Sequence, residues 1–384
     1  MSSLRRIIWM LSAIAVLLIA MSIDIAPGPP FQVVGVVVDD EALAGAHDVE
    51  LQGRYAYVPG KGGSLAVIDV AEPSLPKIVW SRRDPQAFSD AETVLPAGDF
   101  LFLGTQDFLS LDVRDPTQPR ILKTLVDRPR IDRINGFVRI RDYVFAANKS
   151  GWIDAFDVSQ PAEPKLADAL NVAERDGMGD PHDIDRLGDL LVIVDPDGFG
   201  RRDVPGRVGV YRVFDEKSGA LLPSAEWTLV GKCEHDRLVG GNRVRTIGNF
   251  AFVAASISAE STNRERKQQG LSVVDLTRPE APRYVATIDF IDQRGPNGMA
   301  TAGNVVFVAG GRLIMAVDVS DPRRPRELAV FPCREVFQDK ATAKDDGHDL
   351  IYRDGYLYVS GQTTNSFGIV RVDDPEIRRL ADGR

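Results

Sequence analysis

Residues 47–80 read HDVELQGRYAYVPGKGGSLAVIDVAEPSLPKIVW. Short runs rich in Val, Ile and Tyr, separated by turn residues, read as β-strands. There are four here: two joined at Gly53, a third ending in Asp69-Val70, and a fourth after the turn bounded by Pro73 and Pro76. Proline fixes φ and has no N–H to give a ladder, so the Pro-bounded segment marks the turn between strands three and four.

The same pattern recurs along the chain. Aligned on "G-x-aromatic-x-aromatic-V", seven segments begin at His47, Glu92, Asn135, His182, Asn242, Asn297 and His348, 43 to 60 residues apart. Most continue alike, as in "FLSLDVRDPTQPRIL" from Phe108 and "LSVVDLTRPEAPRYV" from Leu271. Seven four-stranded units at this period predict an all-β protein, a seven-bladed β-propeller over residues 31–384, because radial repetition leaves only short, protected sheet edges. The last unit supplies three strands and runs out, while "FQVVGVVV" (31–38) is a strand without a unit of its own. It is expected to complete the last blade and close the ring.

The repeat, with the pattern "G-L-x-V-V-D-V-S-D-P-x-x-P", resembles the LVIVD repeat of propeller-like surface proteins of bacteria and archaea. The likeness spans roughly residues 31–380. It departs in the fourth unit, where Arg212 replaces the aspartate and the DP turn is missing, and in the seventh, which has Arg371 there. The resemblance implies a fold and a surface location, and no biochemical role.

The seven segment starts deserve a chemical reading. His47, Glu92, Asn135, His182, Asn242, Asn297 and His348 are all polar, whereas the position two further on is apolar every time (Val49, Val94, Phe137, Ile184, Val244, Met299, Leu350). Starts of innermost strands form a collar at one mouth of the central channel, which is the expected ligand-binding region. All four histidines precede an aspartate; three of these pairs fall in the collar and the fourth, His235-Asp236, in the loop leading to unit five. His47, Glu92, His182 and His348 form a donor set of the kind that Zn, Fe or Cu selects. Asp48, Asp183 and Asp349 are candidates to orient the imidazoles, although their side chains leave the strand on the opposite side. The same polar residues suit a metal-free binding mouth, or a structural role satisfying turn amides. Asp69, Asp112, Asp157, Asp275 and Asp318, repeated in strand three, are expected to form a blade-to-blade or turn hydrogen bond. Two long insertions, 195–207 and 256–270, lie between strands two and three on the mouth side; such loops are where binding usually sits.

The rest of the sequence bounds the function. A net charge of −9 argues against a general nucleic-acid binder, and 44% hydrophobic residues suffice for a substantial core. Residues 1–30 carry Arg5 and Arg6, an apolar run from Ile7 to Ile23, expected as a hydrophobic helix, and a Pro/Gly linker. This is the pattern of a signal peptide or a membrane anchor, with Ala20-x-Ser22 as a small-residue cleavage site. The folded part is therefore expected on the periplasmic or extracellular side, held to the membrane if the leader stays uncleaved. Cys233 and Cys333 leave one disulfide open. "DPDG" (195–198) has the beginning of a calcium loop without its later ligands, and the basic stretches 128–133 and 263–267 read as solvated loops. No c-type haem motif, nucleophile elbow, His-Glu-x-x-His or P-loop is present. Two functions stand: an exported module binding a protein, glycan or small ligand at the collar, or a metal-dependent enzyme or carrier on the propeller axis.

Overall fold

The computed structural model describes residues 29–196, 204–256, 270–290, 295–337 and 346–383. They form seven antiparallel four-stranded sheets, the blades of a propeller. Six blades take their strands in chain order. The seventh contains three consecutive strands, Asp349–Arg353, Tyr356–Gly361 and Ser366–Val372, with Phe31–Val38 hydrogen-bonded to the last of them. The apolar leader Ile7–Ile23 lies outside the described residues, and among the described residues no helix is long and apolar enough to cross a membrane.

Seven apolar cores, one at each blade junction, hold the ring together. Side chains on a strand alternate between its faces, and each face meets a different neighbour. In the strand Tyr55–Gly60, Ala56 and Val58 pack with Tyr358, Phe367 and Ile369 of blade seven, whereas Tyr57 packs with Leu101, Leu103 and Leu109 of blade two. The middle strands are buried on both sides, which is why they read as almost continuous apolar runs.

The repeated aspartates resolve as turn formers. Asp69, Asp112, Asp157, Asp275 and Asp318 each accept a hydrogen bond from the amide two residues on, at 2.9–3.0 Å, the Asx-turn geometry that starts the strand three to four connection. Each also faces a basic residue across the ladder: Lys77, Arg120, Lys165, Arg283 and Arg326. In the two departing blades the arrangement changes together, with Arg212 facing Thr228 and Arg371 facing Gln32. A cation in place of the aspartate coincides with a neutral partner, so like charges never meet there.

One residue of register is lost in the outermost pairing of every blade, a bulge that increases the local twist. In blades four and seven a glycine near the bulge fits against the Pro-bounded turn of the next blade. A Cβ on Gly231 would lie 2.3 Å from the carbonyl oxygen of Pro279, and one on Gly35 equally close to that of Pro73. After blade seven, a helix at Pro375–Asp382, capped by the Asp374 carboxylate, places Ile377 and Leu380 on the core between blades six and seven. Cys233 and Cys333 are buried and no disulfide joins them. The carboxylate of Asp195, at the start of "DPDG", is engaged by Arg207 at 3.0 Å and the amide of Gly179 at 2.9 Å.

Candidate functional site

Main-chain geometry first sets the collar. The amides of His47, Glu92, His182, Asn297 and His348 donate to the end of strand two in their own blades at 2.8–3.0 Å. This fixes each residue at the start of an innermost strand; six of the seven collar side chains are buried, at 1–8% exposure, and Asn297 is partly exposed. Their contacts run around the ring rather than into turns. His47 Nδ1 lies 2.8 Å from the carbonyl oxygen of Glu92, and His348 Nδ1 lies 2.9 Å from that of His47. Asn135 donates from Nδ2 to the carbonyl of His182 at 2.6 Å, and Asn242 to that of Asn297 at 3.2 Å. In each case the side chain of one collar residue caps the main chain of its counterpart in the next blade.

A carbonyl only accepts, so His47 and His348 must carry their proton on Nδ1, leaving Nε2 as an acceptor. Both stay neutral well into acid. Burial and the neighbouring His348 ring push His47 down; burial and the Arg243 guanidinium push His348 down to about 3. The two rings lie with centroids 4.1 Å apart.

Glu92 breaks the relay because a carboxylate has no proton to pass on. It is instead gripped by two ammoniums from turns between strands two and three: Lys61 at 2.9 Å and Lys149, which hydrogen-bonds the other oxygen. Burial alone would raise its pKa, but Lys149 and Lys61 override it and hold it at about 2. Lys149 is itself pushed down by burial, against the pull of Glu92. Neither lysine was apparent as part of the site from sequence; the signal was their place in the turns facing the mouth.

The aspartates of the His-Asp pairs do not orient imidazoles. Asp48 accepts from the amide of Val94 at 3.0 Å, Asp183 from Val244 at 2.9 Å and Asp349 from Met299 at 3.2 Å. Each thus fastens its inner strand to that of an adjacent blade. His348-Asp349 is therefore a two-sided staple, its imidazole binding blade one and its carboxylate blade six, whereas His47 and Asp48 both bind blade two. His182 lies 3.7 Å from Asp180 and is pushed down by burial and Lys149. His235 stands apart, its ring stacked on Tyr284 at 3.7 Å and its Nδ1 accepting from the amide of Arg237.

The four candidate metal ligands are not brought together as one set. His47 Nε2 is 3.8 Å from a Glu92 oxygen, but that carboxylate is already neutralised by two lysines and His182 turns to Asp180. Among the described residues, no group of three or more His, Cys, Asp or Glu is arranged to hold a metal ion. The insertions 195–207 and 256–270 are described at their ends alone.

Against this geometry the comparisons can be placed. Residues 45–82 match the LVIVD repeat. That segment is blade one, from the loop leading to His47 into its outermost strand, so the matched repeat and the structural blade coincide. No curated protein matches the chain. Among solved structures it is similar to the WD40 domain of Neurospora crassa Pan2, at TM-score 0.60 and 9% identity, covering 90% of this chain and 96% of that one. The β-propeller domain of Myceliophteria thermophila Cps50 (Swd1) gives TM-score 0.60 at 11% identity, covering 89% and 100%. The computationally designed Ika8 protein gives 0.55 at 10%, covering 89% and 100%. At such identities the likeness establishes the propeller fold alone.

Proposed function

We propose that this chain is an exported LVIVD-type propeller that acts as a binding module through its collar mouth, recognising a polar protein segment, glycan or small ligand. The observation that carries this is hydrogen-bonding capacity left unused on a rigid frame. The Asn135 Oδ1 atom is buried without a partner among the described residues, the imidazole Nε2 atoms of His47 and His348 are acceptors, and the partly exposed Lys61 and Lys149 each keep N–H donors beyond Glu92. Buried polar groups left open in this way favour a ligand or water that completes them.

The leader motivates the export. Strand direction adds an orientation: Phe31 pairs with Val372, at the end of the last blade away from the collar and next to the C-terminal helix. A retained anchor would leave the protein on that face, and the mouth would point away from the membrane. The pairing of residues 31–38 with 366–372 likewise supports closure of the ring by its N-terminal strand.

Calorimetric titration of the full chain with short acidic peptides, short basic peptides and neutral oligosaccharides tests the binding reading. Binding of at least one class, weakened tenfold or more by Lys149→Ala or Asn135→Ala, is the expected result. Binding that these variants leave untouched would move the site elsewhere. Stoichiometric zinc, iron or copper in untagged protein, lost in His47→Ala and His348→Ala, would favour the metal-dependent reading instead. Cell fractionation with mass analysis of the N-terminus tests export and cleavage.

A further inference from the structure

Below the collar, the axis holds a second set of charges. Two cavities of about 30 and 140 Å³ share Asp48, Glu50 and Arg245 in their walls. The smaller also meets Asp183 and Arg243, the larger Asp349. These groups come from the inner strands of blades one, four, five and seven. Blades two, three and six contribute uncharged walls, including Thr93, Phe137 and Thr301. Asp185 lies beside Arg245 and is bound by the Thr246 amide at 2.6 Å.

Each aspartate is tied in place. Arg243, 3% exposed, reaches Asp349 at 3.2 Å, and Arg245 reaches Asp183 at 2.7 Å. One Arg243 nitrogen, Nη1, has no hydrogen-bond partner among the described residues. Along the cavity walls, four carboxyls therefore stand against two guanidiniums. A surplus of two negative charges in a sheltered channel is costly, and such groups take up protons instead.

We propose that this axial network is a proton-operated clasp: with its protons in place it ties the inner strands of six blades together, and their loss loosens the ring directly beneath the collar. Beyond the four that supply charges, blade two is reached through the Asp48 bond to the Val94 amide and blade six through the Asp349 bond to the Met299 amide. Because Asp48, Asp183 and Asp349 each follow a collar histidine, loosening the clasp reaches the mouth one residue away.

Two groups carry the change. Burial, then Asp48, pushes Glu50 up to about 8. Burial also pushes Asp349 up to about 7, with Asp48 adding to it and Arg243 opposing. Carboxyls raised above their unfolded value of about 4 give stability that is complete in acid and lost as pH rises through the folded value. The stability the clasp gives is therefore complete below about pH 4 and gone by about pH 8.

Denaturant unfolding of the full chain between pH 5.5 and 9 at constant ionic strength tests this. Above pH 6.5, where the collar histidines are neutral in both states, the unfolding constant of the wild-type chain should rise up to a hundredfold per pH unit to pH 7 and about tenfold from 7 to 8, and Glu50→Gln should remove about half of the first rise and most of the second. In native protein, the Val94 and Met299 amides, both held by clasp aspartates, should exchange hydrogen faster above pH 8 than the chemical rate accounts for. A flat wild-type profile, an unchanged slope in Glu50→Gln, or exchange at those amides without excess acceleration would overturn the clasp. So would a wild-type slope abolished by millimolar calcium or sodium at matched ionic strength, since a cation would then be the neutralising species. If Glu50→Gln does not fold, the wild-type profile and the exchange of the two amides decide the matter.

Discussion

His348 donates from Nδ1 to the main-chain carbonyl of His47 at 2.9 Å, joining the last blade to the first across 301 residues of sequence. The bond lies where the ring must hold shut, and it accounts for a buried imidazole without a catalytic role. Replacing His348 with Ala removes it and leaves the His47 carbonyl with one partner fewer. Each such bond contributes about 0.5–1.5 kcal/mol, and the emptied space adds to the loss. His348→Asn, which can present a donor as Asn135 and Asn242 do, is expected to recover part of it. Chemical denaturation of the three proteins checks the order wild type, Asn, Ala.

The tautomers are open to direct measurement. Nitrogen-15 spectra should find His47 and His348 neutral with the proton on Nδ1 at pH 5.5, where an exposed histidine is mostly charged. Bases pushed down on folding contribute stability that is present above the unfolded value of about 6.5 and lost as pH falls toward the folded one. For these two residues the direction is thus opposite to that of Glu50. Titration of either ring near pH 6.5 would refute the inter-blade relay.

Lys149 is expected to matter more for Glu92 than for the rest of the fold. Lys149→Met removes one of two cations around a carboxylate that is 1% exposed. The Glu92 pKa should rise from about 2 toward or above its ordinary value, so the variant should lack the stability that ionised Glu92 gives the wild type at pH 7, and the gap between the two should narrow as pH falls. Removing one partner of a buried pair typically costs about 3–5 kcal/mol, with Lys61 limiting the loss here. Thermal unfolding at pH 4 and 7 reads the difference.

Gly231→Ala tests the contact between outer strand and turn. The added methyl would meet the Pro279 carbonyl, which is backbone and cannot turn aside. Overpacking of this kind costs about 1–3 kcal/mol. Gly248→Ala, at a hairpin with open space around it but a φ of 56°, separates steric crowding from the strain of left-handed backbone. A loss seen for Gly248 and absent for Gly231 would remove the packing argument.

Several functional features were open to reading in the chain itself. The repeat announced seven blades because each unit carries its own strand pattern and its own Pro-bounded turn, and both act within a few residues. The Asp69 type of turn belongs to the same class: its hydrogen bond reaches two residues along. The collar positions were also visible, since polarity recurred where the pattern next demanded an apolar residue. Their bonds were not, because each partner lies in another blade.

Local chemistry thus determined the number of blades, the turns and the polar rim of the channel. Tertiary structure decided what that rim does. Lys61 and Lys149 converge on Glu92 from turns 88 residues apart, and Arg243 meets Asp349 across 106 residues. Such pairings depend on how far each blade rotates about the common axis, a quantity set by the seven packed junctions together and written in no single repeat. Burial then converts those meetings into shifted protonation, which short-range sequence pattern does not encode.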